Sequence, residues 1–168
     1  MARQLLLAAS MCALLAPATA RARDAQPISL SLVTPVQIVP ASQGIEGFRL
    51  NLLYGRNASL TGLDIGLANH VTGKSLGVEW GLVGLADSDF TGLQWNVVTI
   101  TQGHMEGAQL GFYNYAASVK GLQLGILNHA GRIEGIQIGL VNIIEKGGWL
   151  PVMVLVNGSF RIESTSGK

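Results

Sequence analysis

An eight-residue phrase, Gly-Leu-Gln-Leu-Gly-Ile-Leu-Asn, begins at Gly121, and versions of it begin at Gly47, Gly62, Gly77, Gly92, Gly107, Gly135 and Leu150. Successive starts are 15, 15, 15, 15, 14, 14 and 15 residues apart. A unit this short cannot bury an apolar face alone, so the copies must stack on one another.

Within each copy the second, fourth and sixth positions are apolar, as in Leu122, Leu124 and Ile126. That alternation marks a strand with two unlike faces. The apolar set is expected to point inward, with Trp80 and Trp95 as a stacked core pair at the fourth position. The third position carries Arg49, Asp64, Glu79, Gln94, Gln109, Gln123 and Gln137, and these side chains are expected on the outer face. The fifth position is Gly or Asn (Asn51, Gly66, Gly81, Asn96, Gly111, Gly125, Gly139). Both residues tolerate positive φ, which predicts a bend or bulge there. A further apolar residue lies two places before the opening glycine, in Ile45, Leu60, Phe90, Met105, Val119 and Ile133. The resulting expectation is an all-β fold, a short-coil β-solenoid of about eight 14–15-residue repeats with coils about 4.8 Å apart. The alternative is an eight-stranded outer-membrane β-barrel. Against the barrel stand a core slightly short for a spanning strand, connections of even length, and one phrase that would have to serve both strand directions.

The segments outside the repeats divide the chain further. Residues 1–20 read as a secretory signal peptide, with Arg3 as the positive region, Leu5 to Leu15 as the apolar run and Ala18-Thr19-Ala20 as the cleavage site. Cys12 is the sole cysteine and is expected to leave with that peptide, so no disulfide or thiolate chemistry is expected of the mature chain. Residues 21–44 form a leader and N-terminal cap, 45–157 the repeat domain and 158–168 a polar tail. The Pro35 segment and Trp149 are candidate covers for the two ends of the core, and the proline-bearing copy at Leu150 suits a terminal or edge strand. Charge is nearly balanced, with 11 basic and 10 acidic residues, which argues against nucleic acid as a partner.

Chemistry is sparse. Stacking would place Arg49, Asp64 and Glu79 in one column on adjacent coils, either a solvated charge ladder or, less simply, a carboxylate pair of the kind that cleaves glycosidic bonds. Asp87-Ser88-Asp89 reads as a turn rather than a calcium cage. His70 and His129 share a repeat position four coils apart, too far to hold one metal, and His104 sits at another corner. No catalytic residue, metal site or cofactor is expected. The weak candidates for binding are the outward column itself: Arg49, Asp64, Glu79, Gln94, Gln109, Gln123 and Gln137.

The paired phrases at Gly121 and Gly135 resemble a family of exported bacterial surface-repeat proteins built on a GLQLGLVN motif. The resemblance spans roughly residues 45–145 and weakens at Gly47, where Asn51 and Tyr54 replace the usual Gly and Asn. It implies export and surface placement and supplies no catalytic residue. The expected function is therefore a non-enzymatic structural or binding module at the cell surface or in the envelope, facing an unknown surface ligand or envelope component. A small outer-membrane barrel, which alone would integrate into a membrane, is the second reading, and a polysaccharide-active β-helix using Asp64 and Glu79 is the third.

Overall fold

The computed structural model describes residues 25–160; the expected signal peptide, Cys12 and the end of the polar tail lie outside the described residues. Strands β1 (Gln26–Val33), β2 (Val36–Gln37), β3 (Gly44–Asn57), β4 (Ser59–Val71), β5 (Ser75–Ala86), β6 (Phe90–Lys146) and β7 (Val152–Ser159) form one sheet in the order β2-β1-β3-β4-β5-β6-β7. No helix occurs among the described residues. The fold is a β-solenoid. Pairing between β3 and β4, β4 and β5, and β5 and β6 is parallel, each opening glycine opposite the next: Gly47 against Gly62, Gly77 and Gly92 in turn. Parallel neighbours rule out the up-and-down barrel, whose adjacent strands run antiparallel.

The fifth position does not carry the positive φ that the Gly/Asn pattern suggests, although the pairing register shifts just after it, between Asn51 and Tyr54 and between Gly139 and Asn142. Positive φ belongs to the opening glycines, from Gly47 (145°) through Gly121 (136°) to Gly135 (143°). A side chain at Gly121 would run into the carbonyl oxygen of Gly107 in the coil beneath. Glycine is needed here for both conformation and space. The other bends follow from parity. Gln123 and Asn128 are both buried although five residues apart, and Ala130 and Ile133 although three apart. Alternation alone cannot bury both members of an odd step, so the chain turns between them.

The interior inverts the expected faces. The third-position column (Arg49, Asp64, Glu79, Gln94, Gln109, Gln123, Gln137) is buried throughout. So are Asn69, Asn114, Asn128 and Asn142, which close their copies. The apolar half of the core comes from the column before the opening glycine, as expected, with Ile45, Leu60, Phe90, Met105, Val119 and Ile133 joined by Val71, Ala86, Ala116, Ala130 and Ile144.

Two amide ladders hold the polar half. Gln137 Nε2 donates to Gln123 Oε1 (2.7 Å), Gln123 to Gln109 (2.7 Å), Gln109 to Gln94 (3.0 Å), and Gln94 to the Glu79 carboxyl (3.2 Å). The asparagine ladder runs the other way, Asn114 donating to Asn128 and Asn128 to Asn142, both at 2.8 Å. Each glutamine of the last three coils also donates to a backbone carbonyl six residues on: Tyr115, His129 or Ile143. A buried amide so satisfied costs little, whereas a one-residue slip would orphan the whole column. The ladders therefore fix register.

Both ends are closed by atypical strands. β1 runs parallel to β3, setting Ser29 against Arg49 and Ser31 against Asn51, so Ile28 to Ser31 continues the repeat by one further level. The Val36-Gln37 pair instead folds back antiparallel on β1. Beyond it Val39 is buried with Ile45, Leu60 and Val71. At the other end the copy at Leu150 is not an eighth coil: β7 pairs antiparallel with β6. Trp149 stands against Phe160 with ring centroids 6.1 Å apart.

Candidate interaction face

Once the amides occupy the interior, alternation places the second, fourth and sixth positions on the outside. Trp80 is 53% exposed, Trp95 57% and Phe112 62%. Leu67, Leu82, Val97, Ile126 and Leu140 are exposed beside them. The fourth-position column (Ile65, Trp80, Trp95, Leu110, Leu124) forms one wall of a groove and the sixth-position column (Leu52, Leu67, Leu82, Val97, Phe112, Ile126) the other, with a cavity volume of about 890 Å³ between them. Its floor is the fifth position, glycine at Gly66, Gly81, Gly111 and Gly125. No charged side chain lines it. A second groove of about 530 Å³, lined by Leu30, Leu32, Val36, Ile38, Leu50 and Leu52, continues it toward β1 and β2.

The solvent-accessible charges lie elsewhere. Arg56, Lys74, Lys120, Arg132 and Lys146, with Glu46, Asp87, Asp89, Glu106, Glu134 and Glu145, all fall between the ninth position and the residue before the next opening glycine. The molecule is thus amphipathic across its width, one long side apolar and the other charged. Among the described residues, five basic against six acidic groups leave that charged side without a basic excess.

The sequence candidates for binding do not belong to either surface. Arg49 donates from Nε to Asp64 Oδ1 at 2.9 Å and from Nη1 to Asn57 Oδ1 and the His70 carbonyl. Both partners of the Arg49–Asp64 ion pair are buried. Glu79 is buried as well, accepting from Gln94 and Asn96. No polysaccharide can reach Asp64 or Glu79, so the glycoside-cleaving arrangement is excluded. Trp80 and Trp95, expected in the core, are on the surface instead. The signal for the outer face was present in the sequence, as unbroken apolar columns at the fourth and sixth positions. Alternation alone does not say which side of the strand those columns occupy.

The chain matches no protein-family model, no curated protein and no solved structure.

The remaining candidates fall into local roles. His70 accepts or donates at Nδ1 to the Tyr54 hydroxyl (2.7 Å) and at Nε2 to Asp87 (3.0 Å), and His129 pairs with Glu145 (3.0 Å). Asp89 accepts from the His104 backbone N–H, which draws its carboxyl below the ordinary range. These are edge contacts between successive coils. No group of residues suited to a metal ion occurs among the described residues.

Burial sets the protonation of the interior. It pushes the Asp64 carboxyl up, with the Arg49 contact acting in the opposite direction. Glu79 is pushed up to about 8, first by burial and then by the nearby Asp64 charge. Arg49 can balance one carboxylate, so the interior is neutral only when Glu79 holds its proton. The folded state keeps that proton over a range in which the unfolded chain, near 4.5, has released it. The contribution of Glu79 to stability is therefore greatest at or below that lower value and falls as pH rises toward about 8. Denaturation midpoints measured across that range should decline, and Glu79→Gln, which extends the glutamine ladder by one coil, should flatten most of the decline. An unchanged slope in the variant would place the titrating group elsewhere.

Proposed function

We propose that this protein is an exported, non-enzymatic binding module of the cell surface or envelope, and that it works through its uncharged apolar side. The observation that carries this reading is the groove between the fourth- and sixth-position columns, continuous over successive coils and free of charge. A folded chain rarely leaves so large an apolar surface in water without a contact to make. The polar groups nearest the groove are Asn51 and Asn96, and both spend their amide donors internally, Asn51 on Asp64 and Asn69, Asn96 on Glu79. A sugar needs hydrogen-bonding partners as well as an aromatic platform. Exposed Trp80 and Trp95 supply only the platform, which favours an apolar partner over a glycan.

The resemblance to exported surface-repeat proteins and the N-terminal pattern of residues 1–20 support the placement. Expression of the full chain in a bacterium, followed by fractionation and N-terminal sequencing, tests it. The expected product begins at Arg21 and lies outside the cytoplasm; a chain retaining Met1 in the cytosolic fraction overturns the export. For the face itself, an apolar dye should brighten on the native protein at high dilution, where no partner covers the groove. The gain should fall several-fold in Leu82→Asp/Phe112→Asp, whose changes touch exposed side chains only. Equal brightening in both would show that the face is not the apolar contact surface.

A further inference from the structure

We infer that the apolar side is covered by a second copy of the same chain, the two solenoids lying face to face with their long axes parallel; this rests on the reading of that side as a contact surface. Three observations choose a second copy over other apolar occupants. The first is area. Six positions of extended strand by seven stacked coils span roughly 20 by 34 Å, about 700 Å² per copy and about 1,400 Å² for the pair. That falls within the range of specific, stable protein interfaces.

The second is charge. A surface built for an anionic bilayer or a phosphate headgroup carries a basic fringe. Among the described residues the accessible charges are five basic and six acidic, and they stand on the far side of the coil from the groove. Nothing on the apolar side repels its own copy.

The third is shape. The groove has a glycine floor between two ridges, so a ridge from a partner can enter it. A two-fold axis parallel to the rods, set between the fifth and sixth positions, drops each copy's ridge of Leu67, Leu82, Val97, Phe112 and Ile126 into the other's groove. Interdigitated dry faces of this kind form between paired sheets about 10 Å apart. An axis across the rods instead sets ridge on ridge and leaves both grooves empty. Because the coils repeat at one spacing, every level of the parallel pair meets an equivalent level, which makes the contact isologous.

The test is sedimentation equilibrium of the full chain in detergent-free buffer at about 10 μM, above the weak, micromolar end of the affinities that interfaces near this size show, with tryptophan emission followed on dilution. The expected result is the mass of two chains and a red shift as Trp80 and Trp95 become wet on dissociation. Leu82→Asp/Phe112→Asp should give the mass of one chain, with the circular dichroism and thermal midpoint of the folded native monomer. Should that pair of changes prevent folding, Leu82→Gln/Phe112→Gln serves in its place. A dimer that survives the substitutions overturns the inference, because the contact then lies on another face. So does a native protein that stays a single chain, or one kept in solution only by detergent. Flotation with neutral phosphatidylcholine vesicles separates the remaining cases. A monomer that floats through Leu82 and Phe112 keeps the contact face and loses the dimer. A monomer that neither floats nor binds the dye loses both.

Discussion

Replacing Arg49 by methionine is expected to lower the unfolding free energy by about 3–5 kcal/mol, measured as a shift of the urea midpoint at neutral pH. The guanidinium sits in the interior and donates to Asp64, Asn57 and the His70 carbonyl. Methionine fills much of its volume and supplies none of those hydrogen bonds. Asp64 is then a buried carboxylate without a counter-ion, next to Glu79, and the site must either stay charged at high cost or take up a proton. Domains of this size are stable by about 5–15 kcal/mol, so a loss of this order endangers the fold itself. The double change Arg49→Met/Asp64→Asn separates the causes. It removes both charges, yet leaves an amide oxygen for Asn51 Nδ2, which now donates to Asp64 at 3.2 Å. Most of the lost stability should return. A double variant as unstable as the single one would show that the ion pair is not what Arg49 contributes.

The same interior explains what could and could not be read from the chain. The repeat length, the stacking, the strand identity and the buried column from Ile45 to Ile133 all follow from spacing, and spacing survives any assignment of faces. The choice of inside and outside does not. Alternation says only that Gln123 and Leu124 point opposite ways. The usual preference buries leucine because an isolated amide loses its water on burial. In a stack of identical coils the amide is not isolated, since Gln123 meets Gln109 below and Gln137 above in the same orientation. Uncharged side chains with both a donor and an acceptor can pair with their own copies indefinitely, which leucine does not require and arginine cannot do. That property made the inversion possible, and a ladder reading of the third position would have found the groove.

The exchange of glycine and asparagine has a similar explanation. Asn51 is followed by Gly55 where later coils have an asparagine, and a side chain at Gly55 would overlap the Asn51 amide. A side chain at Gly84 would meet the Glu79 carboxylate and the Asn96 amide. Gly66 and Gly125, conversely, face asparagines at the closing position, Asn69 and Asn128. The fifth and closing positions share one space inside the coil, and an asparagine from either fills it, except in the Gly77 copy, where Gly81 and Gly84 leave it to the Glu79 carboxylate. Conformational freedom, which first suggested a bend at the fifth position, plays its part at the opening glycine instead.

Gly121→Val puts that assignment to the test, with an expected loss of about 2–6 kcal/mol in urea or thermal unfolding. Two costs combine. A β-branched residue at φ 136° is strained by about 1–3 kcal/mol. Its side chain must also displace the carbonyl of Gly107, a backbone group already fixed by the stacking of successive coils, and overpacking of that kind adds about 1–3 kcal/mol. Gly147 provides the control, because its φ is 79° and nothing lies within 4 Å of the added carbon. Gly147→Val should therefore show the conformational cost alone, about 1–3 kcal/mol. The contact cost then appears as the excess at Gly121, and it should recur at Gly77 and Gly107, whose neighbours in the coil beneath are equivalent carbonyls. Equal losses at Gly121 and Gly147 would mean that the column of opening glycines is set by turn geometry only, with room between the coils for a side chain.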